Sequence, residues 1–314
     1  LRTVYGRIDQ DIDRAIELLE KARETTLAEN NKSHINLYVA LGIKSRACLA
    51  EGDWDGAFKA AKRVIDEGGY AVGTKSDLTG GMNSLDKQNV MWGAGIQVAD
   101  QAGGYAGFFT HMDNKEGAYA KSAPKLISKQ LYNRISATDI RRDWWDPSDK
   151  ESPYVSKKFS FANVASFLGD YIYMRVEEMY FTAAEAALRL DDLKSARELM
   201  NTVMAERDPG YSANNRSGTL LGATTTTWTG SFLENILTHR RIELWGEYGR
   251  LFDVRRLGQG IDRRTDDGFS EECISMMNRR NVNITKADTY DWVLTIPKAE
   301  LDANPNINEE DQNP

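Results

Sequence analysis

Cysteine is scarce in this chain: Cys48 and Cys273 are the only two in 314 residues. Neither has a second cysteine at metal-ligand or redox spacing, which excludes a multi-disulfide scaffold and a zinc–thiolate site. Two free or buried thiols are expected, with a single bridge as the less favoured alternative. Histidine is limited to His34, His111 and His239. No His-Glu-x-x-His, Gly-x-Ser-x-Gly or phosphate-loop pattern is present, and Gly93-Ala94-Gly95 lacks the third glycine of a dinucleotide fingerprint. Metal-assisted and nucleophilic hydrolysis therefore lack their usual groups, and neither a cofactor nor a metal is expected. Paired carboxylates remain as a route to a glycosidase, because acids are plentiful and their separation in space is not legible in sequence. A basic stripe is also missing, and a formal net charge of -7 repels a phosphate backbone, so nucleic acid is not an expected partner. No apolar run approaches the roughly 18 residues a membrane helix needs. Residues 1–11 lack the charged start and apolar stretch of a signal peptide, although a precursor with an upstream targeting segment fits the same text.

What is present is helical periodicity. In residues 4–27, Ile8, Ile12, Ala15, Leu18, Leu19 and Ala22 recur at three- and four-residue spacing, which predicts an amphipathic helix. A second helix is expected over residues 35–50, then the turn Glu51-Gly52-Asp53-Trp54, then a third helix with Ala57, Ala61, Val64 and Ile65 inside, stopped by Gly68-Gly69. Gly52-Asp53-Trp54 followed by Ala57 is the turn-plus-small-residue pattern of a tetratricopeptide-type hairpin, where alanine lets two helices approach closely. The pattern recurs over residues 173–190, with a turn at Asp191-Asp192-Leu193 and a return helix lined by Ala196, Leu199, Met200 and Val203. Ser231-Phe232-Leu233-Glu234 opens the last strong helix with a capping box. Arg240 falls on its apolar stripe, a costly position unless carboxylates pair with it. Glu243 and Glu247 are the expected partners, and Asp253, Arg255 and Arg256 extend the same network. The expected class is mainly α: helical hairpins with a long loop-rich insertion and minor short strands. One domain over residues 1–314 is expected, divided into a helical scaffold (1–70), the insertion (71–170) and a second repeat with the C-terminal region (171–314).

The insertion is where function is expected, because loops are free to carry it. Short strands are predicted over residues 88–94, 155–161, 171–175 and 292–296. Residues 99–119 are rich in glycine and aromatics, with Tyr105, Phe108, Phe109 and Tyr119 beside His111, Asp113 and Asn114. Sugar rings dock their C–H faces on flat aromatic side chains while hydroxyls need polar partners, and this stretch supplies both kinds. The bland alternative is that the rings only pin the loop to the core. Trp228, in a threonine-rich polar loop over residues 210–230, must fold back or face a ligand. Trp92 is expected in the core, Trp144 and Trp145 chiefly in packing, and Trp54 in the hairpin turn.

The run Arg240-Arg241-Ile242-Glu243-Leu244, then Glu247, then Arg250-Leu251-Phe252-Asp253-Val254-Arg255-Arg256, resembles the signature of SusD/RagB-like proteins. The ending Ile296-Pro297, Glu300, Asn304-Pro305 and Gln312-Asn313-Pro314 is similar to that family's C-terminal pattern, and Asp139-Ile140-Arg141 resembles its Asp-x-Arg motif. His239 stands where many relatives have glutamate, and Leu257 replaces the usual tryptophan. The chain looks like the C-terminal two-thirds of such a protein, without its N-terminal part. The resemblance implies a cell-surface outer-membrane lipoprotein of the Bacteroidetes type, anchored through an N-terminal segment not in this chain. It also implies that the protein binds oligosaccharide or polysaccharide without chemistry and hands it to a TonB-dependent transporter. Peptide binding, or a repeat-based protein adaptor, is the alternative.

Overall fold

The computed structural model describes residues 2–23, 31–100, 107–214, 230–259 and 295–312. Tyr105, Trp228 and Cys273, together with residues 292–294 of the last expected strand, lie outside the described residues.

Helix α1 (Arg2–Arg23) packs against α2 (Leu37–Glu51), and α2 pairs with α3 (Trp54–Glu67) as the first hairpin. Local chemistry fixes the hairpin's ends. Asn36 accepts a bond from the Val39 amide at 2.9 Å and starts α2. Gly52, at φ 88, ends it in the left-handed conformation and returns its amide to Cys48. Asp53 then caps α3 through the Gly56 amide at 3.0 Å. Ala57, Ala61 and Val64 are fully buried, so the small-residue face lets the helices approach as the spacing predicts. Cys48 is a buried free thiol, and burial with the Asp53 carboxylate pushes it up to about 12.

The second hairpin is α8 (Val176–Arg189) and α9 (Leu193–Ala205), with Asp192 capping α9 at Ser195. Helix α8 also lies against α3 and against α10 (Phe232–Glu243). The two hairpins thus pack on each other despite more than a hundred residues of intervening chain. One apolar cluster joins them: Leu41, Val64, Met179, Phe181, Ala184, Met200, Val203, Phe232 and Ile236 are all in it. Ser231 caps α10 at the Glu234 amide, and the glutamate side chain accepts from the Gly230 amide.

The insertion builds a second apolar cluster of its own, from Leu78, Phe109, Leu131, Trp144, Trp145, Phe159 and Phe161 with Ile242 of α10. Its elements are short: α4 (Lys75–Thr79), β1 (Val90–Ala94), α5 (Phe108–Met112), α6 (Ala118–Ser122), α7 (Lys129–Tyr132), β2 (Trp145–Asp146) and β3 (Val155–Ser156). The expected strand over residues 155–161 is therefore reduced to two residues. β1 pairs antiparallel with β4 (Tyr171–Arg175), with Trp92 opposite Met174 and Ala94 opposite Tyr171. β4 runs directly into α8, so the expected helix beginning at Tyr173 starts three residues later. Helix α11 (Arg250–Arg256) follows α10, and α12 (Lys298–Ala303) lies in the final described segment. There the Gln312 amide accepts from the Ile296 amide at 2.7 Å and donates to its carbonyl at 2.9 Å, tying the two ends of that segment together.

An aromatic cleft as the candidate binding site

Insertion and hairpins meet over a layer of buried charge. Glu243 is fully buried and shared by three arginines: Arg141, Arg175 and Arg207 each reach it at 3.0 Å. Arg207 also reaches Glu177 at 2.9 Å, Arg141 reaches Asp139 at 2.7 Å, and Arg175 reaches Glu247 at 2.8 Å. Burial alone would raise the Glu243 carboxyl, but Arg207, Arg175 and Arg141 hold it well below its ordinary range. Lys158, equally buried, donates to the carbonyls of Glu243 and Trp245 and to the Glu247 carboxylate. Burial pushes its ammonium down to about 8 against the pull of Glu247. Each charge is paired and hydrogen-bonded, the condition under which buried ions are tolerated.

The network corrects one expectation. Arg240 does not pair with Glu243 or Glu247; it reaches Asp253 at 3.0 Å and Glu178 at 3.7 Å, across helices rather than along its own. Arg256 joins Glu185 and Asp253, whereas Arg255 is exposed. Glu243 is instead taken up by the Asp139–Arg141 pair and two further arginines, which converge on it.

Above this layer the turn between α10 and α11 forms one wall of an open cleft of about 470 Å³. That volume lies in the range of small-molecule sites, about 300–1,000 Å³. Gly246 is required in the wall: its φ is 75, and a Cβ there would sit 2.6 Å from the Phe159 ring. The opposite wall comes from the β1–β4 ribbon. Trp92 is half-buried between buried Met91 and Gly93, as strand alternation dictates, and its ring meets Tyr173 edge to face at 5.1 Å. Phe108 and Phe159 form part of the floor, 5.3 Å apart, and Tyr171 accepts the Phe108 amide at 3.3 Å. Arg46 of α2 stacks its guanidinium on the Tyr248 ring at 3.7 Å and donates to the Tyr173 carbonyl at 2.7 Å, clamping both walls. Tyr248 in turn stacks with Phe252, which is 52% exposed.

The residues expected as ligand contacts separate into three groups. Phe108 lines the cleft. His111 and Tyr119 are exposed and stack face to face at 4.6 Å and 5°, a flat platform outside it. Phe109, Asp113 and Asn114, also expected as ligand contacts, are tied into the insertion itself. The Phe109 ring is 2% exposed in the insertion core. Buried Asp113 accepts the amides of Lys115, Glu116 and Phe161, and Asn114 bridges the Lys125 amide and the Ser156 carbonyl. Trp92, expected in the core, packs half-buried against the hairpin cluster and also lines the cleft, whereas Trp144 and Trp145 are core residues as expected. Sequence reasoning missed Arg46, Phe159, Tyr171, Tyr173 and Tyr248. The alternation Tyr171-Ile172-Tyr173 inside a strand pattern was the available signal for two of them.

A larger hollow of about 910 Å³ lies between α1 and residues 31–38. Its lining residues Ala22 and Asn31 flank residues 24–30, which lie outside the described residues, and among the described lining the rings are those of His34, Tyr38 and Tyr70, fewer than the six of the cleft. Among the described residues, no group of three His, Cys, Asp or Glu side chains is placed to hold a metal ion, and no helix is long and apolar enough to cross a membrane.

No curated protein matches this sequence. Solved structures do. A SusD-like carbohydrate binding protein from Bacteroides vulgatus is 28% identical, with a TM-score of 0.63 over 81% of this chain and 52% of its own. A SusD superfamily protein from Bacteroides thetaiotaomicron is 23% identical, with a TM-score of 0.72 over 97% and 66%. A surface glycan-binding protein A from Bacteroides uniformis, 16% identical, shares the fold at a TM-score of 0.62 over 97% and 68%. The chain thus spans between about half and two-thirds of the length of these relatives. The family profile described as the SusD family matches residues 110–314, well over half of the chain and including every ion-paired side chain of the Glu243 network; the chain belongs to the SusD family.

Proposed function

We propose that this chain captures a glycan in the aromatic cleft, without chemistry, as the binding portion of a cell-surface protein that feeds a TonB-dependent outer-membrane transporter. The observation that carries the reading is the pairing of Trp92 with Tyr173 beside Tyr248 and Phe108, on the rim and floor of one open cleft. Flat rings at differing inclinations suit the C–H faces of successive pyranoses, and the indole N–H and phenolic hydroxyls suit their edges. The carbohydrate and glycan binding named for the Bacteroides relatives supports the same reading, as does family membership for the surface location and the transporter. The exposed His111–Tyr119 stack is a second, smaller platform for the same chain of sugars.

Chemistry on the ligand is disfavoured by the cleft's own carboxylate. Glycoside hydrolysis needs two carboxyl groups, one of them able to carry a proton. Among the described lining residues Glu247 is the one carboxylate, and although burial would raise it, Arg175 and Lys158 hold it below its ordinary value, hence ionised. Affinity electrophoresis through gels containing plant, host and microbial polysaccharides tests the proposal. Retardation by at least one polymer, with no release of reducing ends, is expected. Unretarded migration in every gel, or binding only to peptides, would contradict it.

A further inference from the structure

The charges that line the cleft bear on which sugars it accepts, an inference that rests on the glycan reading above. Among the described lining residues two side chains are charged, Arg46 and Glu247. Each is compensated by a partner of opposite sign. Arg46 donates from Nε and Nη2 to the two oxygens of Glu178, at 2.8 and 2.6 Å, and from Nη2 to the Tyr173 carbonyl. One face of its guanidinium is covered by the Tyr248 ring. Glu247 accepts from Arg175 through both oxygens at 2.8 Å, and its Oε1 also accepts from Lys158. Arg175 and Lys158 are each 1% exposed, so a ligand has no route to them.

Each lining charge therefore sits in a pair completed from behind the wall, and what faces the cleft is ring surface. A carboxylate or sulfate entering it would lose water and find, among the described lining residues, no cation without its own carboxylate partner, a loss that a charged group bears heavily. The chain's net charge of -7 adds repulsion on approach. An uncharged pyranose sheds water only from its apolar face and keeps its hydroxyls at the open side. We propose that the cleft selects neutral pyranose chains and rejects uronate-rich and sulfated ones, with Arg46 acting as a positioning residue whose charge is masked by Glu178.

The test is a low-salt binding panel on the intact chain: neutral glucans and mannans, a sulfated glycan, and polygalacturonate and alginate, each uronate in its parent and carboxyl-reduced form. Retention is expected for neutral polymers only, and any uronate polymer that binds after carboxyl reduction is expected to bind about tenfold or more weakly as the parent. Equal or tighter binding of a uronate or sulfated polymer overturns the selectivity and leaves glycan capture standing. Failure to bind any polymer removes glycan capture and the selectivity together. A second arm uses Glu178→Gln, which unmasks the Arg46 charge while Arg240 keeps Asp253. In a variant with a cooperative melt, parent uronate binding is expected to rise about fivefold. An unchanged uronate affinity in that folded variant contradicts the masking, and if the variant does not fold, the wild-type panel decides.

Discussion

The hairpin cluster and the insertion cluster use polar groups in opposite ways. Between the helical hairpins and the insertion, charge is buried deep and completely matched, with Glu243 at the meeting point of three arginines. In the insertion, the informative groups are rings at the edge of a core, with Phe109 and Phe161 inside and Phe108, Trp92 and Tyr173 opening on the cleft. Buried ions are sensitive to removal, whereas rings at the edge of a cleft keep a face that a ligand can reach. The layers touch at residues 245–248: Lys158 and Arg175 hold the turn from behind, and Gly246 and Tyr248 present it to the cleft. Rigidity in one region thus sets position in the other.

The strongest way to break that division is Glu243→Gln. It leaves three buried guanidiniums short of their shared partner, and a loss of about 3–5 kcal/mol in urea denaturation is expected. The same residue fixes the acid limb. Its folded-state carboxyl lies well below its ordinary 4.5, so the stability it contributes is complete above that value and is lost as pH falls below it. Melting temperature should therefore drop on acidification from about pH 4.5 in the wild type, and less steeply in the glutamine variant.

Asp113→Ala comes next. It orphans three amides within the insertion, and a loss of about 1–3 kcal/mol is expected with polymer retention unchanged once folded. Reduced retention in a fully folded variant would return Asp113 to the site.

The paired change Trp92→Ala with Tyr173→Ala inverts this pattern. Affinity should fall by about 1–3 kcal/mol, roughly five- to 150-fold, while the melt stays close to wild type. A large fall in melting temperature with retained affinity would place these rings in the scaffold.

The smallest effect is expected from Tyr119→Ala, which removes half of the stacked His111 platform. About 0.5–1 kcal/mol of affinity, a two- to fivefold change, is predicted by titration against a long polymer, and none against a short oligomer confined to the cleft.

The same comparison explains what the sequence disclosed. Hairpins repeat their signals locally: Asn36, Gly52, Asp53 and the alanine stripe announce each end and each buried face within a few residues. The mainly helical class, the β1 and β4 strands and the buried Trp144–Trp145 pair were accordingly legible. The ion network was legible as residue types but not as partners, since Arg240 finds Asp253 and Glu178 across the fold while its helical neighbour Glu243 is taken by Arg141, Arg175 and Arg207. The cleft was the least legible part. Its walls come from α2, β1, α5, β4 and the turn after α10, and only folding brings Arg46 onto Tyr248. An aromatic-rich loop marked the right neighbourhood, yet neighbouring rings took opposite fates: Phe108 lines the cleft and Phe109 fills the core, because they point to different sides of one short helix.

A crystal structure of the chain with an oligosaccharide of the polymer it retains tests the central claim most directly. The account predicts a pyranose ring stacked on Trp92 or Tyr173, within van der Waals contact of Phe108 or Tyr248, with the Glu243 cluster unchanged beneath. A sugar seated on the helical hairpins, with the cleft empty, would contradict it.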